Sequence, residues 1–277
     1  MQNFSALSLG ECGNFCTFAA MLRLSNLSVG YKSRVIASGI NAELQRGKLT
    51  CLLGVNGCGK STLLRTMCGF IDPLEGEVYL GEQAMGSLTP QERARKISIV
   101  LTHNEGVRGM TVWDIVAMGR NPYTGFWGRL SDEDRRVIRE SLEMVGLDGD
   151  VDSFEHRRIT EISDGERQKV MTAKAIAQQT PVILLDEPTA FLDYPSKGRM
   201  FKLLAQIARD MDKAILLSTH DLEHAKQYAD LAWVMSGPHL SPLRFPPQGT
   251  DPPRGEGIRE FRVESLEFRE GISSLMG

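Results

Sequence analysis

The densest chemistry in the sequence lies in Gly54-Val55-Asn56-Gly57-Cys58-Gly59-Lys60-Ser61. Glycines at this spacing let the chain curl until its N–H groups converge on an anion, and a helix opening behind them adds the positive end of its dipole. Gly54, Asn56, Gly57, Cys58 and Gly59 form the cradle, Lys60 reaches toward the β- and γ-phosphates of a nucleotide, and Ser61, followed by Thr62, offers a hydroxyl to Mg²⁺. The alternative is a Gly-rich turn that happens to carry Lys-Ser. It loses because the run Leu49–Leu53 in front and a helix-forming stretch behind supply both flanks that such a loop requires.

A second element ends in paired carboxylates. Val182-Ile183-Leu184-Leu185 reads as a buried strand that delivers Asp186 and Glu187 at its carboxyl end. Adjacent strand residues point in different directions. Asp186 can therefore hold Mg²⁺ through water while Glu187 orients or deprotonates an attacking water. The third element, Ile162-Ser163-Asp164-Gly165-Glu166, reads locally as a capping box, Ser163 on the N3 amide and Glu166 reaching back. A capped helix start is also a ready anion site, so the two readings coexist.

These residues need elements to position them. Alternation through Leu22, Leu24, Leu27 and Val29, then Val35-Ile36 and Ile40-Ala42-Leu44, predicts short antiparallel strands, with another at Glu77–Leu80. Nearly all-apolar runs at Ile97–Leu101, Val182–Leu185 and Ile215–Leu217 predict parallel strands of an α/β sheet, with ligand groups past their carboxyl ends. Between Met110 and about Ile159 the pattern turns helical: Val112, Ile115, Val116 and Gly119 share one face, as do Val137, Ile138, Leu142 and Val145 after Ser131. An inserted helical lobe over about 103–160 follows. Glu155-His156-Arg157-Arg158 reads as a solvated loop, and the helix of the third element covers Lys169–Gln179.

Composition sets the limits. The chain has 277 residues, 42% of them hydrophobic, enough for one domain with an inserted lobe or for two small domains. A net charge of -3 gives no broad basic surface, so nucleic acid is not an expected partner. No apolar run approaches the roughly 18–20 residues that cross a bilayer as a helix, so membrane work would need a partner. The five cysteines, Cys12, Cys16, Cys51, Cys58 and Cys68, read as unpaired thiols. Residues 1–20 carry no Lys or Arg and read as a start-site extension or disordered leader ahead of a domain over 21–236. Six of twelve prolines fall between Pro238 and Pro253, so 237–277 reads as a Pro-rich tail, extended or disordered up to an amphipathic stretch near Phe261–Phe268.

In this order, phosphate loop, helical lobe, Ser163-x-Gly165 helix start, Asp186-Glu187 strand end and His220 in Ser218-Thr219-His220-Asp221, the sequence resembles the ATP-binding-cassette ATPases over roughly Met21–Met235. The resemblance implies an α/β P-loop NTPase core of that type, with an antiparallel β subdomain and an inserted α-helical subdomain. It implies ATP and Mg²⁺ as ligands, a head-to-tail pair of copies, and hydrolysis at Glu187. Tyr31 would stack on adenine, unless it is only a strand-edge aromatic. Ser163 and Gly165 would grip the γ-phosphate of the opposite copy, Asp193 would be the cross-subunit aspartate, and His220 would contact the γ-phosphate.

Two positions depart from the pattern. A glutamine usually ends the strand represented by Ile97–Leu101, where it touches Mg²⁺; Thr102 takes that place, with His103 and Asn104 as neighbouring alternatives. Asp164 stands where glycine is usual and adds a carboxylate near phosphate. Both point to slow turnover. Thr111–Tyr123, with its Gly119-Arg120-Asn121-Pro122-Tyr123 run and the following Gly125-Phe126-Trp127-Gly128, resembles ATPases of iron-siderophore, haem and cobalamin importers. That implies peripheral placement on the cytoplasmic membrane face through permease subunits, iron chelates as preferred cargo, and an external binding protein as an indirect partner. A soluble cassette acting in assembly or regulation, and a cassette with weak hydrolysis, are the alternatives.

Overall fold

The computed structural model describes residues 20–32, 34–101, 109–125, 128–147 and 154–244. Two sheets organise it. The first is antiparallel, in the order β2-β1-β4-β5, from β1 (Ala20–Tyr31), β2 (Arg34–Gln45), β4 (Glu75–Leu80) and the two-residue β5 (Gln83–Ala84). The second has six strands in the order β10-β9-β3-β8-β7-β6: β3 (Leu49–Leu53), β6 (Ile97–Val100), β7 (Val182–Asp186), β8 (Ala214–Thr219), β9 (Leu231–Ser236) and β10 (His239–Arg244). All neighbours in it are parallel except β9 and β10. This is the α/β core with an antiparallel subdomain that the alternating and continuous apolar runs predict.

Strand alternation divides the interior into two clusters. Cys51, Leu53, Ile183, Leu185, Ile215 and Leu217 face one side, with the helices of the lobe; Leu52, Val182, Leu184, Ala214 and Leu216 face the other, against β1, β2 and the helix after β3. The central sheet is thus covered on both faces, which explains its unbroken apolar runs. Each such Val, Leu or Ile side chain contributes about 1.5–3 kcal/mol on burial.

The helices are α1 (Lys60–Met67), α2 (Pro90–Lys96), α3 (Val112–Ala117), α4 (Asp132–Met144), α5 (Asp164–Ala177), α6 (Tyr194–Asp210) and α7 (Leu222–Tyr228). Capping boxes start α2 (Thr89/Glu92), α3 (Thr111/Asp114), α4 (Ser131/Asp134) and α5 (Ser163/Glu166). The last starts at Asp164, directly after the Ser163 cap that the sequence predicts, and continues into the helix-forming run from Lys169.

Three expectations are corrected. The loop Glu155-His156-Arg157-Arg158 is exposed at its last three residues as expected, but Glu155 is buried, and the carbonyls of Glu155 and Arg157 accept from Trp113 and Val112 at 3.0 and 2.9 Å, tying this segment to the start of α3. The strand β9 was not anticipated, and β10 extends structure past Ser236 into the expected tail, with Pro242 tolerated on a sheet edge. Ala20 already belongs to β1. Thr102, His103, Asn104, Phe126, Trp127, Cys12, Cys16 and Phe261–Phe268 lie outside the described residues. Cys51, Cys58 and Cys68 are free thiols. Among the described residues no helix is long and apolar enough to cross a membrane.

Candidate active site

β3 is fully buried and runs into the loop at Gly54, and α1 starts at Lys60. Gly59 at the helix N-cap has φ 110°, and a Cβ there would lie 2.3 Å from Ile36 Cγ2, so only glycine fits. Lys60 is 5% exposed; its Nζ donates to the Gly54 and Val55 carbonyls at 2.8 and 3.1 Å and lies 3.6 Å from Glu187 Oε1. A cavity of about 380 Å³ is walled by the loop, Ser61, Thr62, Asp186 and Glu187. Sequence-distant elements thus converge: the loop after β3 and the carboxyl end of β7.

Asp186 is placed by two hydroxyls. Ser61 Oγ donates to Oδ2 at 2.6 Å and Ser218 Oγ to Oδ1 at 2.7 Å. Ser218 Oγ also accepts from the Glu187 amide at 2.9 Å. The register of β7 against β8, which sets Asp186 opposite Ser218, creates this arrangement. Ser218 is therefore a site residue that sequence reasoning missed; its only signal is its place two residues before His220 at the end of β8. Glu187 carries φ 49°, a left-handed conformation that costs a non-glycine residue about 1–3 kcal/mol and turns its side chain toward the cavity. Its Oε2 lies 3.8 Å from His220 Nδ1.

The oxygen-only donor set of Ser61 and Asp186 beside a glycine-lined cradle suits a hard divalent cation such as Mg²⁺. Tyr31 ends β1, 46% exposed, and its phenol is held below the ordinary tyrosine pKa by a hydrogen bond to Thr62 and by Arg65, against some desolvation. It stands at the edge of α1, beside the cavity's Thr62.

The remaining site residues gather elsewhere. Ser163 Oγ donates to Glu166 Oε2 at 2.7 Å and accepts from the Glu166 amide, and the Ser163 bonds hold the Glu166 carboxyl below its ordinary pKa. A Cβ on Gly165 would lie 3.3 Å from the Phe191 carbonyl, so the start of α5 packs against the chain leading into α6. There Asp193 caps α6 by accepting from the Ser196 amide at 2.8 Å. Ser163, Gly165 and Asp193 line no part of the Lys60 cavity in their own chain. Asp164, the expected source of repulsion, is paired with Arg167 Nη1 at 2.7 Å, which blunts its charge.

The Gly119–Tyr123 run joins lobe to core. A Cβ on Gly119 would sit 2.4 Å from the Lys174 carbonyl, so α5 approaches there as only glycine permits. Arg120 is buried; its Nε bonds Asp134 Oδ1 of α4 at 2.8 Å, and its Nη1 reaches the Ala177 carbonyl and Gln179 Oε1, each at 2.8 Å. The Pro122 carbonyl accepts from Arg95 of α2 at 3.0 Å, and Tyr123 Oη donates to the Gln178 carbonyl at 2.9 Å. Between this strap, α2 and β6 runs a groove of about 460 Å³.

Residues 37–190 match the family described as ABC transporter. The chain is 42% identical over 210 residues to an uncharacterized ABC transporter ATP-binding protein of Methanocaldococcus jannaschii, covering 76% of this chain and 71% of that one. It is 38% identical over 208 residues to the iron(3+)-hydroxamate import ATP-binding protein FhuC of Bacillus subtilis, covering 75% and 76%. Among solved structures, it is similar to the dimeric post-hydrolysis state of the ATP-binding cassette MJ0796 bound to ADP and Pi, with a TM-score of 0.71, 26% identity, and coverage of 81% of this chain and 99% of that one.

Proposed function

The chain belongs to the ABC transporter family, and from that premise we propose that it is the ATP-hydrolysing subunit that energises an importer of iron-siderophore or related iron-chelate, haem or cobalamin cargo. The observation that carries the reading is the Glu187 carboxylate, held between Lys60 and His220 at the mouth of a glycine cradle beside the Ser61–Asp186 pair.

ATP is the substrate. The amides of Asn56, Gly57, Cys58, Gly59 and Thr62 and the Lys60 ammonium bind its phosphates, with Gly54 admitting the tight turn. Ser61 and Asp186 would hold Mg²⁺, which would supply positive charge to offset that of the phosphates; Thr102 is proposed as a further contact to it. Glu187 accepts a proton from the attacking water as that water bonds the γ-phosphorus and the bond to the bridging oxygen breaks. Ser218 fixes the Glu187 backbone, and His220 faces the γ-phosphate. Tyr31 stacks on the adenine.

Ser163, Gly165 and Asp193 serve the nucleotide of a second, head-to-tail copy, which accounts for their absence from the cavity of their own chain. Nucleotide binding closes the two copies and hydrolysis parts them, a difference of affinity between two states. The groove beside the Gly119–Tyr123 strap receives the permease at the cytoplasmic membrane face, and cargo selection belongs to the permease and an external binding protein. The test is Mg-ATP hydrolysis by the wild type and Glu187→Gln, together with co-purification from membranes. Hydrolysis lost in the variant and a retained multi-span membrane protein support the reading; equal turnover in both removes Glu187 as the base, and no membrane partner removes the importer.

A further inference from the structure

The His220 side chain is half exposed, so its place opposite Glu187 is set by the backbone on either side of it. On one side Thr219 ends β8 and is buried; on the other Asp221 caps α7. The Asp221 amide donates to Thr219 Oγ1 at 3.0 Å and closes a turn around His220. Asp221 Oδ1 accepts from the His224 amide at 3.1 Å, while Oδ2 lies 2.8 Å from His224 Nδ1 and 3.7 Å from Lys197 Nζ. Burial pushes the Asp221 carboxyl upward, but the His224 amide and ring and the Lys197 ammonium outweigh it and hold the group below its ordinary value. A carboxylate only accepts, so His224 Nδ1 carries the hydrogen between them.

One face of α6 is built around this imidazole. Tyr194, Lys197, Gly198 and Phe201 share the i, i+3, i+4, i+7 spacing of a single helical stripe. The Tyr194 ring lies 4.5 Å from the His224 ring, Phe201 stacks on it at 5.6 Å and 17°, and Tyr228 of α7 stacks at 6.3 Å and 12°. A Cβ on Gly198 would lie 3.6 Å from His224 Nε2, so α6 comes close there. His224 is 2% exposed. An apolar ring would fill this space as well; the imidazole adds a directed donor, and its bond to a charged acceptor is stronger than a neutral one.

We propose that His224 is the positioning residue of His220: its Nδ1–H fixes the Asp221 carboxylate, which locks the turn from Thr219 to Asp221 and aims the His220 ring at the γ-phosphate. This rests on the role of His220 given above. His224 lines no part of the Lys60 cavity, so its loss acts on turnover through His220 and leaves the phosphate cradle intact.

The test is steady-state Mg-ATP hydrolysis by the full chain, with melting temperatures to show that each variant is folded at the assay temperature. His224→Phe keeps a ring in the aromatic wall and loses the donor. His224→Asn keeps a donor at the Nδ1 position and loses the ring, and Asp221→Ser keeps a helix cap and removes the carboxylate. The expected result is kcat lowered at least about tenfold in His224→Phe and Asp221→Ser, KM for ATP within about twofold, and kcat restored to within about threefold of wild type in His224→Asn. A packing role predicts the reverse order, Phe active and Asn impaired, and that order overturns the assignment. Wild-type kcat in Asp221→Ser also overturns it, and decides the matter if His224→Phe does not fold. His220→Ala separates the two readings. If it loses turnover while His224→Phe and Asp221→Ser keep theirs, only the positioning role of His224 falls; if it turns over like the wild type, the role of His220 falls with it.

Discussion

Asp186 and Glu187 are neighbours in sequence and are contacted by one serine in different ways. Ser218 Oγ gives its proton to Asp186 and accepts the Glu187 amide, so it fixes a carboxylate and a strained backbone together. Ser218→Ala is expected to cost about 1–3 kcal/mol in urea unfolding, since it removes the acceptor of the Glu187 amide and one donor to Asp186, and to lower turnover with it. Unchanged stability and turnover would show that Ser218 does not set this geometry. Glu187→Gln is expected to lower the hydrolysis rate at least about 100-fold with nucleotide affinity kept, as loss of a general base does. A fall in affinity without a fall in the single-turnover rate would assign Glu187 to binding instead. The loop, Asp186 and Glu187 were legible because their spacing carries the chemistry. Ser218 was not, because its role depends on the pairing of β7 with β8, a register that neither strand announces alone.

Elements bring these residues together through contacts with little tolerance. Gly119 lets the end of α3 lie on α5; Gly119→Ala places a methyl 2.4 Å from a backbone oxygen and is expected to cost about 1–3 kcal/mol in thermal or urea unfolding. A neutral effect would mean that the lobe shifts freely against the core. Arg120 and Asp134 form a buried pair behind it. Burial pushes the Asp134 carboxyl upward, but the Ser131 hydroxyl and amide and the Arg120 guanidinium outweigh it and hold the group below its ordinary value. A depressed carboxylate stabilises the fold above the unfolded value, about 4, and loses that contribution as pH falls through the lower folded value. Asp134→Asn is therefore expected to cost about 3–5 kcal/mol near neutral pH and to flatten the decline of the urea midpoint below about pH 4. A parallel displacement of the whole curve would remove Asp134 from the acid response. The Gly-Arg-x-Pro-Tyr run was legible as a helix end with aromatics. That Arg120 ties α4 to α5 was not, because both partners are remote in sequence.

At the scale of the molecule, period-2 alternation correctly separated strands with one buried face from strands buried on both, so the two sheets and the two-sided core follow from the sequence. β9 and β10 did not follow, because Pro238 and Pro242 mask a short antiparallel pair at the sheet edge. The largest consequence is the division of the site. Lys60, Asp186, Glu187 and His220 meet in one place, while Ser163, Gly165 and Asp193 gather at another. On the proposed reading these are two halves of a nucleotide clamp, and a second copy is required to join them. Sedimentation velocity of the Glu187→Gln protein, with and without Mg-ATP, measures this most directly. The predicted result is a species of twice the chain mass that forms only with nucleotide and disappears when Ser163→Phe is added to the same chain; a protein that binds Mg-ATP tightly and stays at the mass of one chain would contradict it.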